Sequence, residues 1–408
     1  MGMIDAMSDR DVPSPAPIGL NEPSPEADLA GLRRPRSEQL AGKAGLLPRQ
    51  EIRKLVNRKY LRAGRDLEES QFQPASLDLR LGPKAYRVRA SFLPGRDKTV
   101  EQQLSDLKGD EISLKDGAVL ERGCVYVVEL LEHVQLPESI SAVANPKSST
   151  GRLDVFTRLI TDRGDVFDRV PDGYDGRLYA EVSPRSFSVK VRQGSRLNQI
   201  RFRRRNSQQD KLVDFRLLDK DIRDLHQRSM LVDGDLQVRH GLVLHIELGG
   251  VGAEGLVGYR AQRHTDIIDV DRTGAYAVED YWEPIRARAD KRLILDPNEF
   301  YILVSKEKLH IPSGYAAEMV PIDPMMGEFR VHYAGFFDPG FGAAADDRPG
   351  SRAVLEVRSH EVPVMLEDGQ TVCRLAYEAM AGEPDTLYGQ IGTSNYQGQA
   401  LKLSKHFR

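Results

Sequence analysis

The sequence predicts a mainly β protein: two tandem copies of one β domain, with a few short helices and a helical linker between the copies. Three observations carry this. Short apolar runs rich in β-branched and aromatic residues, such as CVYVVELL (124–131), RLYAEV (177–182), FYILVS (300–305) and AVLEV (353–357), sit between Gly, Pro and Asp punctuation. A constant register relates the two halves: EHVQLP begins at Glu132 and EKLHIP at Glu307, an offset of 307 − 132 = 175 residues. Between the halves, DKLVDFRLLDKDIRDLHQRS (210–229) carries apolar residues at helical spacing among many charges.

Taken in order, residues 1–42 hold Pro13, Pro15, Pro17, Pro23, Pro25 and Pro35 among Ser, Glu and Asp. Such a segment buries too little apolar surface to offset its ordering entropy, so a disordered tail is expected. A short helix is expected in GLLPRQEIRKLVNRKYL, at the start of a first β domain over 43–208. The linker follows over 209–236, and a second β domain with a C-terminal lid over 237–408. At the 175-residue offset Tyr126 meets Tyr301, Pro146 meets Pro321, Glu181 meets Glu356 and Gly194 meets Gly369. The copies have diverged in complementary ways. The first keeps NPKSSTGR (145–152) where the second has VPIDPMMG; the second keeps HYAGFFDPGFG (332–342) where the first is longer and irregular. Complementary loss is expected when one site is shared between two copies.

Composition bounds the function. The chain has 408 residues, 40% of them hydrophobic, enough for real cores. Lys+Arg number 58 and Asp+Glu 61, a net charge of −3, which argues against a surface built to coat nucleic acid but leaves room for a local basic pocket. Cys124 and Cys373 alone cannot build a disulfide framework or a four-thiolate zinc site, and a reduced cytoplasm is the default reading. No uninterrupted 18-residue apolar window exists, and MGMIDAMSDRDVPSPAP has neither a basic n-region nor an apolar h-region. Ala6 stands where a myristoylation motif wants Ser or Thr. Zinc-dependent nucleobase deaminases need H-x-E with P-C-x-x-C; two cysteines 373 − 124 = 249 positions apart exclude that, so any deamination here runs without zinc.

Four stretches carry candidate chemistry. KSSTGR sets two hydroxyls between a Lys and an Arg, which is either a turn or a cradle for a triphosphate or a polarised water. AGFFDPGFG is a hairpin signal, either with core aromatics or with exposed rings and a carboxylate that stack on a base and hold a sugar hydroxyl. Glu356, inside an apolar strand, either faces solvent or sits buried as an acid/base group with a raised pKa; Glu181 is its counterpart. YGQIGTSNYQGQALKLSKHF (388–407) is either a frayed tail or a lid closing over phosphates.

PASLDLRLG (74–82), NPKSSTGR, AGFFDPGFG followed by a Glu-bearing strand, and YQGQ near the end together resemble the dCTP deaminase family, in its double-length bacterial form. The resemblance spans about residues 45–408 and implies a dUTPase-like, distorted jelly-roll fold. It implies hydrolysis of dCTP to dUTP and ammonia, supplying dUTP for dTMP synthesis. By the same resemblance Glu356 is the general base and acid, taking a proton from the water that attacks cytosine C4 and passing protons to N3 and the leaving ammonia. Ser148 helps hold that water, Ser149 contacts phosphate and Arg152 pairs with Glu356. Ala334 offers its carbonyl to the water or amine, Asp338 binds the deoxyribose 3′-hydroxyl, and Tyr388 and Gln399 occupy the spacing of phosphate-binding residues. Lys147 stands where the family has Arg, keeping charge but losing bidentate geometry. Asn395 stands where Lys is common. Magnesium is implied as a companion of the substrate triphosphate, and a homo-oligomer as the assembly, a trimer of two-unit chains being attractive because pseudo-threefold packing needs multiples of three β units.

The site is therefore expected to be composite: Lys147, Ser148, Ser149 and Arg152 from the first copy, the hairpin, Glu356 and the tail from the second, within one chain or between neighbours. The opposite pairing, with Glu181 catalytic, is the alternative. So are two other functions: a dUTP diphosphatase or bifunctional deaminase–diphosphatase, which the missing Arg- and Gly-Ser-rich terminal loop disfavours, and a non-catalytic nucleotide-binding protein.

Overall fold

The computed structural model describes residues 43–205, 215–321, 330–331, 335–344, 348–359, 361–390, 392 and 394–408. The expected tail over 1–42, the start of the linker and Ala334 lie outside the described residues.

The two larger sheets of each half are antiparallel, and their central strands follow the same order. In the first half Val125–Gln135 lies between Leu81–Val88 and Asp175–Pro184, and Ile140–Pro146 lies between Asn198–Arg204 and Arg169–Val170. In the second half Phe300–Leu309 lies between Leu256–Ala261 and Ser351–Arg358, and Tyr315–Pro321 lies between Thr371–Ala379 and Phe336–Phe337. The 175-residue offset survives down to single pairs. Ile140–Pro146 and Tyr315–Pro321 start and end in register. Glu181 faces Val127 across the ladder, and Glu356 faces Ile302. The Tyr126 hydroxyl accepts from the Glu121 amide (3.0 Å), as the Tyr301 hydroxyl does from the Asp296 amide (2.9 Å). Gly194 and Gly369 hold the same left-handed turn, with φ of 95° and 79°, where a side chain would be strained.

The strands form where they do because their apolar runs are buried on both faces at the centre of each sheet. Val128, Leu159 and Ile200 anchor the core of the first half; Leu244, Leu303 and Leu355 anchor that of the second. The cores interlock. Trp282, Phe300, Ile302 and Val354 come from the second half yet pack into the first core. Trp282 meets Phe187 edge to face at 5.4 Å and Phe407 at 5.8 Å. Ile268–Asp269 pairs in parallel with Val189–Val191, extending a first-half sheet with a second-half strand.

Four α-helices occur among the described residues: Arg49–Asn57, Val100–Leu107, the single turn Ser148–Gly151, and Asp219–Arg228. The first fits the expected N-terminal helix. The last occupies the C-terminal part of the expected linker helix, seating Ile222 and Leu225 in the second core. Val100–Leu107 was not foreseen, although Thr99 and Gln102 form a reciprocal capping box that the sequence spells as Thr-x-x-Gln.

AGFFDPGFG departs from the hairpin expected of it. Phe336–Phe337 pairs with Tyr315–Pro321, while the strand after the turn, Ser351–Arg358, belongs to the other sheet. Asp-Pro-Gly-Phe closes a tight turn, the Phe341 amide donating to the Asp338 carbonyl at 3.0 Å with Gly340 at φ 87°. The turn carries the chain between sheets, and its aromatics are buried rather than exposed.

Because Trp282 fills the junction of the two halves, Trp282→Ala is expected to lower the unfolding free energy by ~3–5 kcal/mol, read by denaturant titration followed by circular dichroism.

Candidate active site

The site starts from a crossing of the two halves. Lys147 ends the Ile140–Pro146 strand and caps the turn Ser148–Gly151, whose geometry is fixed by Thr150 and Gly151 amides donating to the Lys147 carbonyl (2.8 and 2.9 Å). This turn delivers Ser148 and Arg152 to a cavity. From the other side the cavity receives Asp338 from the Asp-Pro-Gly turn, Glu356 from the middle of Ser351–Arg358, and Tyr388, Tyr396 and Gln399 from the C-terminal segment. All of these lie in one chain.

Arg152 holds the two sides together. Its Nη1 donates to Gln399 Oε1 (3.1 Å) and to the Lys402 carbonyl (2.7 Å), and its guanidinium lies 3.9 Å over the Tyr396 ring. Its Nε points toward Glu356 Oε1 at 4.0 Å, buried and without a hydrogen-bond partner among the described residues. The Nε therefore keeps a hydrogen to offer beside the Glu356 carboxyl.

Glu356 is 5% exposed. Burial pushes its carboxyl up to about 8; Arg152 opposes the shift and Asp154 adds to it. Of the two possibilities left open for this strand residue, the buried one holds. Asp338 is also raised by burial against the pull of Arg201, whose Nη2 donates to its Oδ1 at 2.8 Å. Arg201 further donates to the Ala317 carbonyl (3.0 Å) and lies 4.1 Å over Phe336. Lys147 forms an ion pair with Asp78 of the PASLDLRLG stretch.

Of the residues expected at the site, Lys147, Ser148, Arg152, Asp338, Glu356, Tyr388 and Gln399 line the one cavity. Ser149 does not: it is buried behind the turn, where its carbonyl accepts from Ser404 Oγ at 2.7 Å. Ala334 lies outside the described residues. The C-terminal segment is a packed strap rather than a frayed tail, with Tyr396, Ser404 and His406 buried. Glu181, the counterpart of Glu356, is locked to Arg158 (Nη2 at 2.6 Å, Nε at 3.1 Å) and lines no cavity described here. Sequence reasoning missed Tyr396, although it sits in YQGQ, and missed Arg201 and Asp78 as partners of Asp338 and Lys147.

Residues 43–206 match the family profile of the 2′-deoxycytidine 5′-triphosphate deaminase (DCD) N-terminal domain, and residues 218–407 match that of the C-terminal domain. The chain belongs to the dCTP deaminase family. A crystal structure of 2′-deoxycytidine 5′-triphosphate deaminase from Agrobacterium tumefaciens is 54% identical, with a TM-score of 0.78, over 83% of this chain and 99% of that one. The "dCTP deaminase, dUMP-forming" of Sulfurihydrogenibium is 27% identical over 161 residues, 38% of this chain and 83% of the relative. A probable deoxyuridine 5′-triphosphate nucleotidohydrolase of Methanopyrus kandleri is 29% identical over 143 residues, 34% of this chain and 83% of the relative. Family membership accords with the β architecture and the double-length organisation.

Arg201→Met should leave the Asp338 carboxyl buried without its partner and destabilise the protein by ~3–5 kcal/mol in denaturant titrations, well beyond a surface Arg substitution.

Proposed function

We propose that this chain is a hydrolase that deaminates dCTP at cytosine C4, giving dUTP and ammonia. The observation that carries this reading is the buried Glu356 beside the free Nε of Arg152, in a cavity that also presents Ser148, Asp338 and Gln399. Membership of the dCTP deaminase family supports the substrate.

In this mechanism Glu356 begins as the neutral acid, since its carboxyl is raised to about 8. It protonates cytosine N3. The carboxylate so formed, steadied by Arg152, takes a proton from the water attacking C4, a water held by Ser148. The tetrahedral carbon then bears OH and NH2. Glu356 gives its new proton to the amine, ammonia leaves, and the C4 hydroxyl proton returns to Glu356 as the carbonyl forms. The enzyme ends as it began. Fixed donors near the developing charge supply the electrostatic part of the rate. Asp338, oriented by Arg201, accepts the 3′-hydroxyl. Lys147, Tyr388 and Gln399 face the triphosphate, and Ser149 reaches it only once the turn readjusts. Magnesium arrives with the triphosphate as part of the substrate, and no step uses a resident zinc. The protein is read as a cytoplasmic homo-oligomer acting on nucleotides, with neither nucleic acid nor membrane as partner. No helix of the described residues is long and apolar enough to cross a membrane.

A second reading, release of dUMP and diphosphate, draws on the "dUMP-forming" names of relatives from Sulfurihydrogenibium and Persephonella marina. The dUTP reading draws on the 54% identical Agrobacterium tumefaciens structure, whose name carries no such qualifier.

Chromatography of a dCTP reaction with magnesium should give dUTP with equimolar ammonia; dUMP and diphosphate would transfer the case to the second reading. Glu356→Gln should lower kcat by roughly 10³-fold or more with nucleotide binding largely kept, whereas loss in Glu181→Gln alone would reverse the site assignment. In the wild type, kcat/KM should be high below pH 8 and fall as pH rises through about 8, because the required acid is then lost.

A further inference from the structure

Two steps beyond the reacting pair, on the same two chain segments, stands a second pair of buried charges. Asp154 follows Arg152 by two residues, and Arg358 follows Glu356 by two on Ser351–Arg358, where alternation places both side chains on one face. Arg358 Nη2 forms an ion pair with Asp154 Oδ2 and also donates to Ser186 Oγ at 3.2 Å. Ser186 Oγ in turn donates to Asp154 Oδ2 at 2.6 Å. The remaining arm of Arg358, Nη1, donates to the Asn298 carbonyl. Asp154 is 1% exposed, and neither it nor Arg358 lines the cavity.

We infer that Asp154 and Arg358 are positioning residues, cross-linking the Ser148–Gly151 turn to the Glu356 strand and so setting the approach and the charge of the Arg152–Glu356 pair. The deaminase reading is used only for what Glu356 does in turnover. Three facts support the assignment. The pair joins the first half to the second at the point where the site is assembled. Asp154 sits at φ 55°, a left-handed conformation that costs a side chain about 1 kcal/mol and that glycine would adopt freely; its carboxylate is what reaches Arg358. Along the contact two cations flank two carboxyls, in the order Arg152, Glu356, Asp154, Arg358, and the Asp154 charge acts on Glu356 against that of Arg152. The groups facing Glu356 are Arg152 from the turn, Asp154 just after it and Tyr396 from the strap, with Arg358 standing behind Asp154 as its ion-pair partner. Within this set Asp154 favours the neutral carboxyl, and Arg358 partly screens Asp154.

The opposite signs of the two residues make a test that a purely structural brace would fail. The protonated Glu356 carboxyl can be titrated by infrared difference spectroscopy on nucleotide-free protein, its band identified by its loss in Glu356→Gln. Asp154→Asn keeps the shape, tolerates a positive φ and removes the negative charge; the midpoint should fall by about one pH unit. Arg358→Gln should move it upward by a similar amount, and the double variant should return it toward the wild-type value. The alkaline limb of kcat/KM should move with the midpoint. Coincident midpoints in all variants, or shifts of the same sign in both single variants, would overturn the inference. If Asp154→Asn does not fold, the upward shift in Arg358→Gln decides alone. Turnover of dCTP by the wild type is scored separately, so failure of the deaminase reading leaves the titration result standing on its own.

Discussion

The structure turns on a carboxyl group withdrawn from water beside a guanidinium from the other half of the chain. Burying Glu356 costs free energy that a lone carboxylate could not sustain, and the group responds by holding its proton. Arg152 lies close enough to stabilise the charged form when it appears, yet at 4.0 Å it does not quench the acid in the resting protein. Everything that fixes this spacing follows from how the halves are joined: the single turn 148–151, the strap that accepts from and covers Arg152, and the aromatic plug around Trp282.

Arg152 is worth following outward, because its contacts explain why the C-terminal segment is ordered. Its guanidinium is divided between Gln399, the Lys402 carbonyl and the Tyr396 ring. Further along, Ser404 Oγ reaches the Ser149 carbonyl, and His406, whose imidazole burial pushes down to about 4, bonds Ser404 and the Val270 carbonyl. A polar segment of this composition looks dispensable in one dimension. In three, it supplies hydrogen-bond partners to the back of the turn that carries Ser148.

Much of this was legible in the sequence, through the repeat. The offset of 175 located the equivalent strands and singled out Glu356 and Glu181, and the retention of KSSTGR in one copy only pointed to a divided site. What stayed hidden was pairing across long separations. Nothing in the neighbourhood of Asp338 announces Arg201, 137 residues earlier, and nothing near Asp154 announces Arg358, 204 residues later. Such partners are fixed by how sheets cross, not by local periodicity. Asp-Pro-Gly misled for a related reason: a tight turn is written locally, but whether its flanking strands pair with each other is decided by the sheets they join. Ser149 belongs here too, since a helical turn sends consecutive serines in different directions.

The shared register of the halves has a consequence for how damage is tolerated. Gene duplication ordinarily supplies a spare. Here Glu181 is engaged by Arg158, and VPIDPMMG has no serines, so under the proposed function neither half carries the whole set. A lesion at Ser148 or at Glu356 finds no understudy 175 residues away, and two copies have become as vulnerable as one.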